Sequence, residues 1–182
     1  IPERVILKNN IFPTMFQLLR DAHPEAEIGC IYEWDGIKYV IDTLSTNYQE
    51  MVPSNKIYTD EMAKMSVKYI KEKKPVLGAF IFDNPDHVGH DAGHDTPEYY
   101  ANLKELDGYI GQIIQATKDA GIYENCIFIV TSDHGGIDHG HGGKTLEEIN
   151  TPFIIAGKGI KKDGEFQESM MQFDCAPTVL EI

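Results

Sequence analysis

Val76-Leu77-Gly78-Ala79-Phe80-Ile81-Phe82, then Asp86-His87-Val88-Gly89-His90-Asp91-Ala92-Gly93-His94, then the long stretch Pro97 to Ala120, decide the fold class. The opening run is apolar almost without interruption, the pattern of a strand covered on both faces of a parallel sheet rather than the alternation of a half-exposed one. Pro97 to Ala120 reads as a helix. Thr96 supplies a side-chain cap, Pro97 suits the first helical position, and Gly121 ends it. Tyr99, Leu103, Leu106, Ile110, Ile113 and Thr117 step by four and three along one face. A second apolar run, Cys126 to Ser132, follows. Strand, helix and strand make a βαβ unit, right-handed by the usual rule.

Working outward, Glu27 to Tyr32 and Pro152 to Ala156 are two more short apolar runs, also expected as parallel strands. Asp60 to Lys73 carries Met62, Met65, Val67, Tyr69 and Ile70 among charges and predicts an amphipathic helix. Pro13 to Ala22 is a shorter helix, and Asp174 to Ile182 reads as the start of another. The class is α/β: a mostly parallel sheet flanked by helices, in one domain over residues 1–182. Both ends of this pattern read as unfinished, which suggests a piece of a longer chain.

The 182 residues carry 29 acidic and 16 basic side chains, a net charge of −13. That balance argues against a nucleic-acid polymer as partner, because polyanion binding needs a basic face. No apolar run approaches the roughly 18 residues of a membrane span. Cys30, Cys126 and Cys175 are odd in number, far apart and in apolar contexts, so they read as small hydrophobes.

Histidine placement is the informative feature. Six of the seven histidines fall in two short windows, Asp86 to His94 and Asp133-His134-Gly135-Gly136-Ile137-Asp138-His139-Gly140-His141. Proportional placement would put fewer than about one there. Imidazole and carboxylate are the usual ligands of zinc and similar divalent ions. Both windows follow predicted strands at their carboxyl ends, the edge where open α/β sheets bind ligands, so both are expected as loops that converge above the sheet. His87 and His94 read as supporting or exposed residues, Asp83 and Asp91 as loop residues, and His23 as a surface residue. Residues 131–151 form a long connection, of the kind that tends to be functional. Gly143-Lys144-Thr145 is not a phosphate loop, because Asp138 stands where its first glycine belongs. Gly157-Lys158-Gly159 is not a dinucleotide loop, because Lys162 stands where the third glycine belongs. Tyr32, Trp34 and Asp35 follow the first strand, where they could line the same cleft, although packing is the expected role of the aromatics.

Pro85-Asp86-His87-Val88-Gly89-His90, Thr131-Ser132-Asp133-His134-Gly135-Gly136, His141-Gly142-Gly143 before Thr151-Pro152, and Phe173-Asp174-Cys175-Ala176-Pro177-Thr178-Val179-Leu180 together resemble the alkaline phosphatase superfamily. Within it they most resemble the type I phosphodiesterase/nucleotide pyrophosphatase and sulfatase-like branch. Order and spacing agree from about residue 12 to the end.

The resemblance implies an alkaline-phosphatase-like fold and two divalent metal ions, usually zinc. One ion would be held by Asp86, His90 and His141. Asp133 and His134 would contribute to the other, with an earlier Asp and the nucleophile. His139 is an alternative to His141, which its following glycine pair favours; His139 and His87 are otherwise candidates to support the ligands from behind. Two cations about 4 Å apart clamp the attacking and leaving oxygens of an in-line displacement, and a hydroxyl nucleophile gives a covalent intermediate. The resemblance places that nucleophile on a segment well before this region. Thr14, Ser45 and Ser54 are hydroxyls outside the expected context, so no nucleophile is assigned. The chain therefore reads as the C-terminal portion of a catalytic domain, inactive alone.

The expected substrate is a small-molecule phosphate ester, cleaved at a phosphodiester or pyrophosphate bond. A sulfatase or phosphate monoesterase of the same superfamily is the near alternative, and a non-catalytic metal-binding module the distant one. A cofactor-independent phosphoglycerate mutase needs a large inserted domain for which residues 91–126 leave no room. The resemblance suggests an extracytoplasmic location. Loss of a strand inside the sheet would expose an edge or apolar surface, so self-association is expected.

Overall fold

The computed structural model describes residues 12–52, 59–162, 164–165 and 168–182. Helix α1 (Met15–Ala22) opens on Thr14, whose Oγ1 accepts the Gln17 N–H at 3.2 Å. Strand β1 (Ile28–Tyr32) is buried at every residue, as its unbroken apolar run requires. It is the centre of a parallel sheet in the order β2 (Tyr48–Met51), β1, β3 (Leu77–Ile81). Gly29 stands opposite Tyr48, and Ile28 opposite Leu77.

Strand alternation builds a core on each face. Ile28, Cys30 and Tyr32 join Phe16, Ala26 and Ile41, with Leu77, Ala79 and Ile81 of β3 beside them. Ile31 faces the other way, onto Met62 and Tyr69 of α2 (Thr59–Lys73), with Phe80 and Phe82 alongside. Gly29 lets the Tyr69 ring lie against the strand, since a Cβ there would collide with it. Helix α4 (Pro97–Asp119) then packs on α2 through Ile113 and Ala116 against Ile70. Its start follows the sequence: Thr96 Oγ1 accepts the Tyr99 N–H at 3.3 Å and Pro97 opens the first turn. Burial of each large apolar side chain in these clusters contributes roughly 1.5–3 kcal/mol. At the other end of the chain, α6 (Cys175–Glu181) packs against α1. All three cysteines are free, and burial pushes the Cys30 thiol up to about 12.

Three expectations are corrected. β4 (Ile127–Thr131) and β5 (Phe153–Gly157) pair antiparallel, not parallel, and β3 and β4 share no ladder among the described residues. The reason lies in the connection. A parallel partner needs a crossover back to the opposite end of the strand. Here the connection doubles back instead, with the Gly135 N–H on the Glu148 carbonyl at 2.8 Å and only one helical turn, α5 (Leu146–Ile149). Thr131 consequently faces Phe153, and β5 starts where β4 ends. Second, most of the first histidine window is not loop but helix α3 (Asp86–Ala92). Third, β2 was not anticipated, because Tyr48-Gln49-Glu50-Met51 is a partly exposed edge with no apolar run.

Candidate metal centre

The site is built where β3 ends. Glu33, just past β1, grips that junction twice: its N–H donates to the Ile81 carbonyl at 3.1 Å, and its Oε2 accepts the Asp83 N–H at 2.8 Å. Burial pushes the Glu33 carboxyl up, and the Asp83 N–H pulls it part of the way back. Three residues on, α3 begins at Asp86. One turn later His90 shares its face, so a single short helix presents a carboxylate and an imidazole side by side.

The third group arrives from the other window. His90 Nε2 lies 3.3 Å from Asp86 Oδ2, and His141 Nε2 lies 3.7 Å from Asp86 Oδ1. One ligand atom from each residue falls within 4.8 Å of the other two. His90 Nδ1–H donates to the His139 carbonyl at 2.8 Å, which leaves the Nε2 lone pair directed at the carboxylate. Asp86 Oδ1 is buried and has no hydrogen-bond partner among the described residues. Acceptors converging on an unsatisfied buried oxygen repel unless a positive charge stands among them. One carboxylate and two imidazoles are a donor set that suits zinc with a fourth position open. These residues fit a divalent cation.

Of the other predicted residues, His139 does not join the trio; its Nδ1–H donates to the His90 carbonyl at 3.1 Å. His134 stacks on His141, ring centroids 3.7 Å apart, and its Nδ1–H donates to the Gly135 carbonyl at 2.8 Å. Asp133 projects into solvent, 87% exposed, with Oδ2 3.6 Å from His134 Nε2. His87 lies between Asp83 and Asp91, 3.8 Å from a carboxylate oxygen of each. His23 is exposed at the end of α1. Tyr32 is packed in the core as expected, but Trp34 is 57% exposed, its indole lying over Gly36 where a side chain would collide with it. Asp35 pairs with Lys38 at 2.6 Å. Ser45 is buried and donates to Asp42 at 3.0 Å, Thr14 caps α1, and Ser54 lies outside the described residues.

Two carboxylates escaped the sequence reading. Glu33 has no motif. Glu148 has one, since Thr145-Leu146-Glu147-Glu148 is a capping-box pattern. Its carboxylate accepts the Thr145 hydroxyl at 2.8 Å, the Gly143 N–H at 2.7 Å and the Thr145 N–H at 3.3 Å. It thereby ties the strand-returning half of the connection to the His141-Gly142-Gly143 turn. A Cβ on Gly143 would strike the carboxylate, which would have to shift from this position.

Comparison with known proteins bears on the family and the fold. The model of the type I phosphodiesterase / nucleotide pyrophosphatase family matches residues 29–170. Human ectonucleotide pyrophosphatase/phosphodiesterase family member 5 is 33% identical over 79 residues, 43% of this chain and 16% of that protein. Arylsulfatase K of Danio rerio is 30% identical over 104 residues, 50% of this chain and 20% of that protein. The chain thus spans a fifth or less of the length of these relatives. A crystal structure described as the putative sulfatase yidJ from Bacteroides fragilis superposes with a TM-score of 0.55 at 21% identity, covering 66% of this chain and 36% of that one, a likeness of fold. With the family model covering most of its length, the chain belongs to the type I phosphodiesterase / nucleotide pyrophosphatase family.

Proposed function

We propose that this chain carries part of the active site of a metal-dependent hydrolase of small phosphate esters, acting on phosphodiester or pyrophosphate bonds. The convergence of Asp86, His90 and His141 from two chain segments is the observation that supports this most directly. Asp86, His90 and His141 hold one divalent cation, zinc by the donor set, and Asp133 and His134 contribute to a second. Such cations stabilise charge on phosphoryl oxygens and favour an ionised nucleophile. The chain's own residues keep the ligands in register. His139 and His90 fix each other's imidazole through their backbone carbonyls, and Glu148 holds the turn that follows His141. The attacking hydroxyl lies outside residues 1–182, forms the covalent intermediate, and is lacking when these residues are alone. Self-association of these residues, through the half-covered strands β3 and β4, belongs to the same reading.

Zinc titration by calorimetry tests the site: the chain binds, and His90→Ala abolishes binding. Unchanged affinity in that variant rejects the ligand assignment. Assay of residues 1–182 and of any longer product of the same gene, against p-nitrophenyl phosphodiester, phosphate monoester and sulfate ester, tests the reaction. The diester is turned over best, and only by the longer protein. A preference for the sulfate ester would support the second reading, a sulfatase, which the similarity to arylsulfatase K favours. Zinc binding without hydrolysis of any ester by the longer protein would leave the non-catalytic module.

A further inference from the structure

His94 is the one histidine of the two windows that neither ligates in the proposed centre nor faces solvent: its side chain is 6% exposed. It sits just beyond α3, its Nε2 3.9 Å from Asp86 Oδ1, and both of its hydrogen bonds are made to the other window. Its backbone N–H donates to the Asp138 carbonyl at 2.6 Å, and its Nδ1–H donates to the same oxygen at 3.0 Å. Asp138 has φ +48°, a conformation that side-chain-bearing residues rarely adopt and that needs surrounding contacts to hold it. The ring is boxed by Tyr99 of α4, centroids 5.3 Å apart, and by two glycines. A Cβ on Gly89 or on Gly136 would collide with the imidazole. Neither glycine has a positive φ, so the backbone does not require glycine at either place. Gly89 even lies inside α3, where glycine costs helix stability relative to alanine. The space left by both is the space the His94 ring fills, one wall from each histidine window.

We propose that His94 is a positioning residue: it latches the loop that carries His141 onto the helix that carries Asp86 and His90. The inference rests on the metal reading above. The trio is drawn from segments separated by about fifty residues in sequence, and its affinity depends on how far they are held in place before the cation arrives. His94 ties the two through a doubly held carbonyl three residues before His141. Residues that orient ligands from behind typically change metal affinity 10–100-fold when lost.

The test is zinc affinity by competition with a chromophoric chelator, together with the visible bands of the cobalt-substituted full chain. His94→Phe keeps a buried ring and the backbone N–H but removes the side-chain donor to Asp138, and should weaken zinc about 10–100-fold and broaden the cobalt bands. His94→Asn restores a donor near the position of Nδ1 and should recover affinity to within about threefold of wild type, on the same hydrogen-bond logic. Gly136→Ala expels the ring while leaving His94 in the sequence, and should lose affinity as His94→Phe does; it carries the test if His94→Phe fails to fold. Wild-type affinity in both His94→Phe and Gly136→Ala overturns the latch. Equal loss in His94→Phe and His94→Asn, with unaltered circular dichroism, also overturns it, because the hydrogen bond would then not be its cause. These outcomes differ from failure of the metal reading, in which wild type does not bind zinc or His90→Ala binds it unchanged.

Discussion

His90 and His139 exchange hydrogen bonds: each ring Nδ1–H donates to the backbone carbonyl of the other, at 2.8 Å and 3.1 Å. The pair joins α3 to the second window and fixes both tautomers in one stroke. It also separates the roles of two histidines only two positions apart. His139 spends its donor on α3, whereas His141 turns Nε2 toward Asp86. His139→Ala should therefore weaken zinc about tenfold, while His141→Ala removes the site. Calorimetric titration of the two variants distinguishes them, and the reverse order would reassign the ligand.

The second half-site should be weak in residues 1–182. Asp133 is exposed, its Oδ1 accepts the neighbouring His134 N–H at 3.1 Å, and two protein ligands are too few for tight zinc. Anomalous diffraction above the zinc edge should give a strong peak among Asp86, His90 and His141 and little or none at Asp133 and His134. A full-strength peak held there by these two residues and water alone would contradict the proposal.

The core makes a separate prediction. Ile31 is fully buried between Met62, Tyr69 and Val52 on the α2 face of the sheet. Ile31→Ala should cost about 2–5 kcal/mol in urea unfolding. Ile154→Ala, on the exposed side of β5, should stay within about 0.5 kcal/mol. Similar losses at both positions would mean that β5 is covered in solution, as self-association through it would require.

The elements that the sequence revealed share a local cause. Thr96 and Pro97 start α4, and the apolar runs of β1, β3, β4 and β5 form strands, divided between two sheets. What it hid depends on distant partners. The direction of β5 is set by the way the connection folds on Glu148, and β2 by register against β1, which leaves no local pattern. The site divides the same way. Asp86 and His90 are paired through the family resemblance, although their spacing of four is also that of one helical turn, which α3 shows it to be. Glu33 could not be found, because its partner Asp83 is fifty residues away and neither lies in a motif. His94 and Gly136 look like ordinary loop residues until the two windows are brought together.

Glu148 supplies a pH dependence. The Thr145 hydroxyl, then the Gly143 N–H, hold its carboxyl below the ordinary glutamate value, with further help from the Thr145 N–H and the nearby His141. A carboxyl depressed on folding contributes stability that is fully present above its unfolded value, about 4.3, and is lost as pH falls through the lower folded value. Glu148→Gln keeps an oxygen acceptor but turns an amide NH2 toward groups that are themselves donors, so part of the network is lost at every pH. Melting of the chelator-treated chain should therefore show Glu148→Gln below wild type at pH 7, with the gap closing below about pH 4 as the wild-type carboxylate is protonated. Zinc affinity at neutral pH should fall in the same variant, because the turn after His141 loses its anchor. A gap that persists unchanged to pH 3 would show that the charge of Glu148 does not stabilise the connection. The two histidine windows would then be held together by His94, His90 and His139 without it.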